Sequence, residues 1–286
     1  PLHDHVDQLA FALRSIEKPG LLAPLVKLLV DGSTSNDVAT VRLIGKIGSA
    51  DDLNLLADLV SKNGHSLFSA SAEALLESAQ DRRLYPSKVG LRLRACRMMM
   101  QSAEPQVLAQ ACRLIGLWKL KSMRDLLVIH LTSEDTGLQR ASISGLADLG
   151  DFESLKRLAR DTQATAERRV NACVSLMDHD PSLAAAIVAE LLTRTMSDQD
   201  VERLMGALVS NKQAITALTG SMLQAQIPTH NAIMAVRMVE TSGYWDSPLM
   251  DALSKAGSIQ STPLSMDPVH LEGYLSRIQN ADPEQG

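Results

Sequence analysis

Histidine and aspartate residues near the start of the sequence are of the types that bind metal ions. His3, Asp4, His5 and Asp7 combine imidazole and carboxylate groups, which suit zinc or nickel. Histidines two positions apart do not share one face of a helix. We therefore interpret this cluster as a solvated helix start and predict no metal site.

A second cluster, Asp178-His179-Asp180, carries the groups needed for acid–base catalysis. It lies where the repeated pattern described below demands a turn, so we assign it to helix capping. His130 falls on the apolar side of its predicted helix and is interpreted as an interior histidine.

Recognisable catalytic motifs are absent from the sequence. It contains no phosphate-binding loop, dinucleotide fingerprint, H-E-x-x-H zinc motif or nucleophile elbow. Cys96, Cys112 and Cys173 form no C-x-x-C pair, and we expect buried thiols rather than a disulfide or metal site. We therefore predict a non-enzymatic chain with no catalytic residues and no cofactor.

Positive charge is concentrated between Arg82 and Arg124, a stretch that we call the basic segment. Its only acid is Glu104, although the whole chain has a net charge of −5. The cations are Arg82, Arg83, Lys88, Arg92, Arg94, Arg97, Arg113, Lys119, Lys121 and Arg124. We expect a docking surface for an acidic protein or neighbouring domain. The alternative is that these charges face solvent separately. Nucleic acid is a less favoured partner, because no aromatic platform alternates with the arginines.

The elements that must position these charges follow from an internal repeat. The phrase "VRLIGKIGSADDLNLLADLV" at 41–60 returns as "ASISGLADLGDFESLKRLAR" at 141–160. A small residue marks the first helix of each unit, and four of the five gaps between these markers span 29 to 31 residues. The markers are Gly45, Ala74, Gly116, Gly145, Ser175 and Gly206. Each unit shows the 3.6-residue apolar period of two amphipathic helices.

Interior positions and helix ends can be predicted within these units. Leu114, Leu146 and Leu176 fall on the apolar stripe of successive first helices. Asp51, Asp151 and Asp180 are expected to cap second helices, the last of them before Pro181. Gly48 and Gly150 suit the left-handed residue that closes a first helix.

Composition supports the helical interpretation. Hydrophobic residues make up 45% of the 286 residues and aromatic residues only 3%, so the core consists of Leu, Ala, Val, Ile and Met. Residues that favour helices dominate. No apolar run approaches the ~18 residues of a membrane span. We therefore predict an all-α fold.

The repeat resembles the HEAT-repeat family, in particular its short kind of about 30 residues; an armadillo-like or other α-solenoid is the alternative. The resemblance implies a right-handed α–α superhelix of about eight helical pairs over 1–256, with an insertion at 79–102. A linker at 257–266 and a short helix with a frayed tail at 267–286 follow. The family supplies scaffolds for protein–protein interaction and no catalytic residues. Some short arrays of this kind accompany phycobilin lyases or bind damaged nucleic acid, but no residues here match either activity.

The last residues, Asp282-Pro283-Glu284-Gln285-Gly286, resemble the lead-in to a c-type haem domain. In some large exported bacterial proteins such a domain follows a propeller resembling sugar dehydrogenases and a HEAT-like array. That resemblance implies a rigid spacer or accessory module within a longer redox protein, located in the periplasm or cell envelope; without it the expected location is the cytoplasm. The absence of an initiator Met before Pro1 agrees with this expectation.

The haem resemblance predicts a C-x-x-C-H motif within some twenty residues after Gly286 in the parent reading frame. Sequencing the parent gene checks this. A stop codon directly after Gly286 would contradict it.

Overall fold

A computed structural model describes residues 5–14, 37–62, 66–243 and 247–259, together with the isolated positions 22, 24, 27 and 29. The described residues form fifteen α-helices and no strand. The prediction of an all-α fold is therefore confirmed. Within the same residues, no helix combines the length and apolar character needed to cross a bilayer.

The chain divides into two compact units, one ending at His179 and the other beginning at Asp180. The first unit contains α1 (Val6–Arg14), α2 (Asp37–Ile47), α3 (Leu53–Val60), α4 (Phe68–Asp81), α5 (Val89–Met99), α6 (Pro105–Leu117), α7 (Arg124–His130), α8 (Thr136–Leu149), α9 (Phe152–Arg160) and α10 (Ala166–Leu176). The second contains α11 (Pro181–Leu192), α12 (Asp198–Val209), α13 (Lys212–Met222), α14 (Thr229–Thr241) and α15 (Ser247–Ala256).

Helices pack against the next helix but one along the chain as well as against their neighbours. In the first unit α2 contacts α4, α4 contacts α6, α6 contacts α8, and α8 contacts α10. The intervening helices α3, α5, α7 and α9 lie against this series. In the second unit α11, α13 and α15 form one such series, while α12 contacts α14. This is the packing expected when each helical pair stacks on the preceding pair.

Aliphatic side chains fill the interior, as the composition requires. Leu114, Leu146 and Leu176 are fully buried, which confirms their predicted interior positions. Buried Leu, Ile, Val, Met and Ala side chains recur along the described helices of both units. Each buried leucine of this kind contributes roughly 1.5–3 kcal/mol relative to an exposed one.

The small residues that mark the repeat lie where consecutive first helices approach most closely. A Cβ atom built on Gly116 would lie 2.6 Å from the Cα of Gly145, and one built on Gly145 would lie 2.5 Å from the carbonyl oxygen of Cys112. Likewise, a Cβ on Gly45 would lie 2.8 Å from the Cβ of Ala74. Backbone therefore packs on backbone between α2 and α4 and between α6 and α8. The approach is looser at Gly206, where a Cβ would be 4.0 Å from the Met238 side chain.

Helix ends confirm part of the predicted capping. The side chain of Asp151 accepts the backbone N–H of Ser154, and that of Asp180 accepts the N–H of Leu183. Gly150 closes α8 with φ of 78°. Glycine adopts this left-handed conformation without the steric strain of a Cβ atom.

Two capping predictions were wrong. Asp51 does not cap α3; its carboxylate accepts hydrogen bonds from Ser87 Oγ at 2.6 Å and from Asn54 Nδ2 at 3.4 Å. This contact ties the start of α3 to the loop before α5. Gly48 is not left-handed. Its lack of a side chain instead allows its close approach to the carbonyl oxygen of Ile44.

The region at 79–102 contains the end of α4, a connecting loop and α5. The sequence predicted an insertion here, and its helix α5 contacts both α3 and α6. The linker and terminal helix predicted at 257–286 lie almost entirely outside the described residues, since only 257–259 are described. Those domain boundaries remain predictions.

Replacing Gly145 with Ala should destabilise the protein by about 1–3 kcal/mol, because the new methyl group meets the α6 backbone rather than a flexible side chain. Thermal denaturation followed by circular dichroism measures the change. Gly90→Ala is the matched control, since nothing lies within 4 Å of a Cβ at that helical position. Equal stability of the two variants would refute close packing at the α6–α8 contact.

Candidate functional site

Some cations of the basic segment hold neighbouring helices together. Arg82 follows α4 and donates from Nη1 to the carbonyl oxygen of Gly45 at 3.0 Å and from Nη2 to that of Gly48 at 2.6 Å. The last carbonyls of a helix have no partner within the helix. Arg82 therefore caps the end of α2 from the following unit.

Arg92 and Arg124 have comparable structural roles. Arg92 on α5 lies 4.9 Å from the ring centroid of Tyr85 and directs Nη1 towards the carbonyl oxygen of Trp118 at 3.5 Å. Arg124 at the start of α7 donates to Asp151 at 2.6 Å and to Ser154 Oγ at 2.7 Å. Hydrogen bonds from Arg124 to Asp151 and to Asp125 raise the pKa of Arg124.

Asp151 joins two helices through this contact. Partial burial raises the pKa of Asp151, but hydrogen bonds from Ser154 and Arg124 outweigh that effect, so its pKa lies below the ordinary value. The carboxylate thus remains charged while it caps α9 and binds the first residue of α7. Three of the ten predicted docking residues, Arg82, Arg92 and Arg124, are therefore half-buried and bind groups on neighbouring helices or turns.

The other cations of the segment are exposed. They are Arg83, Lys88, Arg94, Arg97, Arg113, Lys119 and Lys121. Of these, Lys119 donates from Nζ to the carbonyl oxygen of Asp148. Arg94 and Arg97 lie on α5, Lys88 precedes that helix, and Lys121 lies in the short turn before α7. The segment therefore spreads its free charge over more than one element.

Two of these arginines share a cleft of about 440 Å³ at the ends of α4, α6 and α8. Arg83, which follows the end of α4, lines one side of the cleft. Arg113, on the exposed face of α6, lines another. The remaining lining residues are Gln80, Asp81, Leu117, Ser144 and Asp148. We call this cavity the α4–α6–α8 cleft. Its lining is mainly polar, with guanidinium, carboxylate, amide and hydroxyl groups in one place.

Asp148 is the half-buried acid of the cleft. Burial raises the pKa of Asp148, while the charges of Lys119 and Arg83 act in the opposite direction without cancelling the rise. The two cations thus stand near a carboxylate whose charged form remains disfavoured. The sequence prediction missed this acid because it considered only residues 82–124. The signal was present, since Lys119 and Asp148 are one repeat period of 29 residues apart.

The other predicted candidates are dispersed. His3 and Asp4 lie outside the described residues. His5 Nδ1 lies 3.1 Å from Gln8 Oε1, and the Asp7 carboxylate forms an ion pair with Lys46 Nζ at 3.0 Å. Among the described residues, no group of three or more His, Cys, Asp or Glu side chains is placed to hold a metal ion.

The other two histidines considered in the sequence, His179 and His130, lie in different surroundings. The His179 ring stacks on Phe152 with centroids 3.3 Å apart, while the neighbouring Asp180 caps α11. His130 on α7 is half-buried rather than fully interior.

The three thiols are free and buried, as predicted. Burial raises the pKa of Cys112 to about 11 and that of Cys173 to about 12, and it also raises the pKa of Cys96. Because the thiolate is the reactive form, these groups have a structural rather than a nucleophilic character.

Asp148→Asn should increase stability at pH 7 by less than about 1 kcal/mol, since the half-exposed carboxyl is screened by solvent. A carboxyl whose pKa is raised in the folded state favours folding while protonated and loses that contribution as pH rises through the folded pKa. The gain should therefore disappear near pH 3. Denaturation in urea at both pH values tests this, with the exposed Asp178→Asn as control. A gain that is equal at the two pH values would contradict the prediction.

Comparisons with known proteins do not assign the chain to a family. No protein-family model matches it, and no curated protein matches it.

Proposed function

We propose that this chain is a non-enzymatic interaction scaffold that binds an acidic protein or an acidic neighbouring domain through its basic segment. The observation that carries the proposal is the number of exposed cations without a partner. Lys88, Arg94, Arg97, Arg113 and Lys121 make no side-chain hydrogen bond or ion pair within the described residues.

Elsewhere in the described chain, Arg160, Lys212, Arg237 and Lys255 are also exposed without such a partner, but they are widely separated along the sequence, and other exposed cations pair with acids. Arg140 pairs with Glu167 at 2.7 Å, Lys62 with Asp58 at 2.8 Å, and Arg194 with Glu190 at 3.4 Å. The basic segment lacks acids to make such pairs, because Glu104 is its only one. A surface of this kind attracts acidic partners over several ångströms. Added salt screens the charges and weakens this attraction.

We further propose that the helical pairs form a HEAT-like right-handed superhelix. The alternating contacts between helices and the spacing of about 30 residues support this arrangement. Stacked pairs supply a stiffness that a Gly/Ser linker lacks, so the same array would serve as a spacer between domains of a longer protein.

Binding of fluorescein-labelled hexaglutamate, followed by fluorescence anisotropy, tests the scaffold proposal. Affinity should fall at least tenfold between 50 and 300 mM NaCl, because charge attraction is screened. Replacing six exposed cations of the segment with Gln should abolish binding: Arg83, Lys88, Arg94, Arg97, Arg113 and Lys121.

The control replaces six exposed cations outside the segment in the same way: Arg42, Arg157, Arg160, Lys212, Arg237 and Lys255. Both variants lose the same formal charge. Equal loss of affinity in the two would mean that net charge alone attracts the probe, and the docking function would be wrong.

A further inference from the structure

The α4–α6–α8 cleft lies next to two of the three described non-glycine residues with positive φ. Arg83 has φ of 53° and Lys119 has φ of 55°. Each is the second residue after its helix, following the C-cap residues Arg82 and Trp118. After α8, the first residue is Gly150, with φ of 78°. Three first helices are therefore followed by a left-handed residue, which is glycine only after α8.

The backbone geometry of these turns does not account for the basic residues. The N–H of Leu84 reaches the carbonyl of Ser78 at 3.3 Å, and that of Leu120 reaches the carbonyl of Ile115 at 3.0 Å. The bond from Leu120, which spans five residues, is the usual closure of a helix by a left-handed residue, for which glycine is preferred. The bond from Leu84 spans six residues. Side chains with a Cβ are strained in the left-handed conformation. A cation near a helix end gains from the helix dipole, but it could do so one residue earlier without strain.

The position of Arg83 in the cleft offers a reason for its strained backbone. Residues held in rare backbone conformations are concentrated at ligand sites, because the surrounding structure forces their side chains to a defined place. Here Arg82 fixes the loop by binding the carbonyls of Gly45 and Gly48. The next residue, Arg83, thereby enters the cleft, where Arg113 lines another wall.

We propose that the α4–α6–α8 cleft binds an acidic side chain of an extended peptide, with the carboxylate held by Arg83 and Arg113. Neither guanidinium makes a side-chain hydrogen bond within the described residues, and guanidinium groups bind carboxylates through paired hydrogen bonds.

The acids of the cleft favour a peptide over a nucleic acid. Asp81, Asp148 and Ser144 line the same cavity and can accept hydrogen bonds from the backbone N–H groups of a peptide. The sugar–phosphate backbone of a DNA strand has no such donors. The inference rests on the proposed function for its acidic partner, but it assigns the recognition to one cleft rather than to the whole basic segment.

The test compares two double variants for binding of hexaglutamate. In Arg83→Gly/Arg113→Gln, glycine suits the left-handed turn, so the melting temperature should be unchanged or higher. Affinity for hexaglutamate should fall at least tenfold. The control Arg94→Gln/Arg97→Gln removes the same charge from α5, outside the cleft, and should reduce affinity less than threefold. The oligonucleotide hexathymidylate should bind the unaltered chain more weakly than hexaglutamate.

Each alternative result overturns a defined part of the proposal. Equal losses in the two double variants would remove the cleft as the site while leaving the scaffold function intact. Tighter binding of hexathymidylate would exclude a carboxylate as the preferred ligand. A lower melting temperature for Arg83→Gly would show that Arg83 serves the fold. Failure of hexaglutamate to bind the unaltered chain would contradict the scaffold function and the cleft together.

Discussion

The close approach of consecutive first helices is the constraint on which the rest of the first unit depends. Where Gly116 meets Gly145, the backbones of α6 and α8 touch without side chains between them. Leu114 and Leu146 beside this contact can then reach the interior from adjacent helices. The same approach brings the ends of α6 and α8 near each other, so that Lys119 reaches the carbonyl oxygen of Asp148. Both the packing of α6 on α8 and the cleft at their ends therefore depend on the absence of side chains at Gly116 and Gly145.

The sequence allowed the helices, their pairing and much of the interior to be predicted, because these properties are periodic. The sequence alone shows both periods, which are the 3.6-residue apolar spacing within a helix and the small residues about 30 positions apart. Leu176 could be placed in the interior for this reason. Individual turns were less predictable, because several local solutions have similar energies. Asp51 has the residue type of a helix cap, yet it binds Ser87 at a distance of 36 residues.

The candidate site was predicted in part only. Its cations are visible as a run of basic residues with one acid, but a charge count does not tell which of them are already used. Arg82, Arg92 and Arg124 look the same in the sequence as Arg94 and Arg97, although the first three bind groups from other units. Distinguishing them requires the positions of acceptors on other units, which are backbone carbonyls for Arg82 and Arg92 and side chains for Arg124. Asp148 could be located only by applying the repeat period to charge as well as to apolar residues.

The contacts that Arg82 and Arg124 make between units affect how such an array can change over evolution. Arg82 takes its acceptors from 34 and 37 residues earlier, whereas Arg124 takes its acceptors from 27 and 30 residues later. Deleting or duplicating one unit would therefore separate a guanidinium group from the residues it binds on a neighbour. Although the units share a length and a packing pattern, they are not interchangeable parts. Recombination between them would be selected against wherever it interrupts one of these pairs.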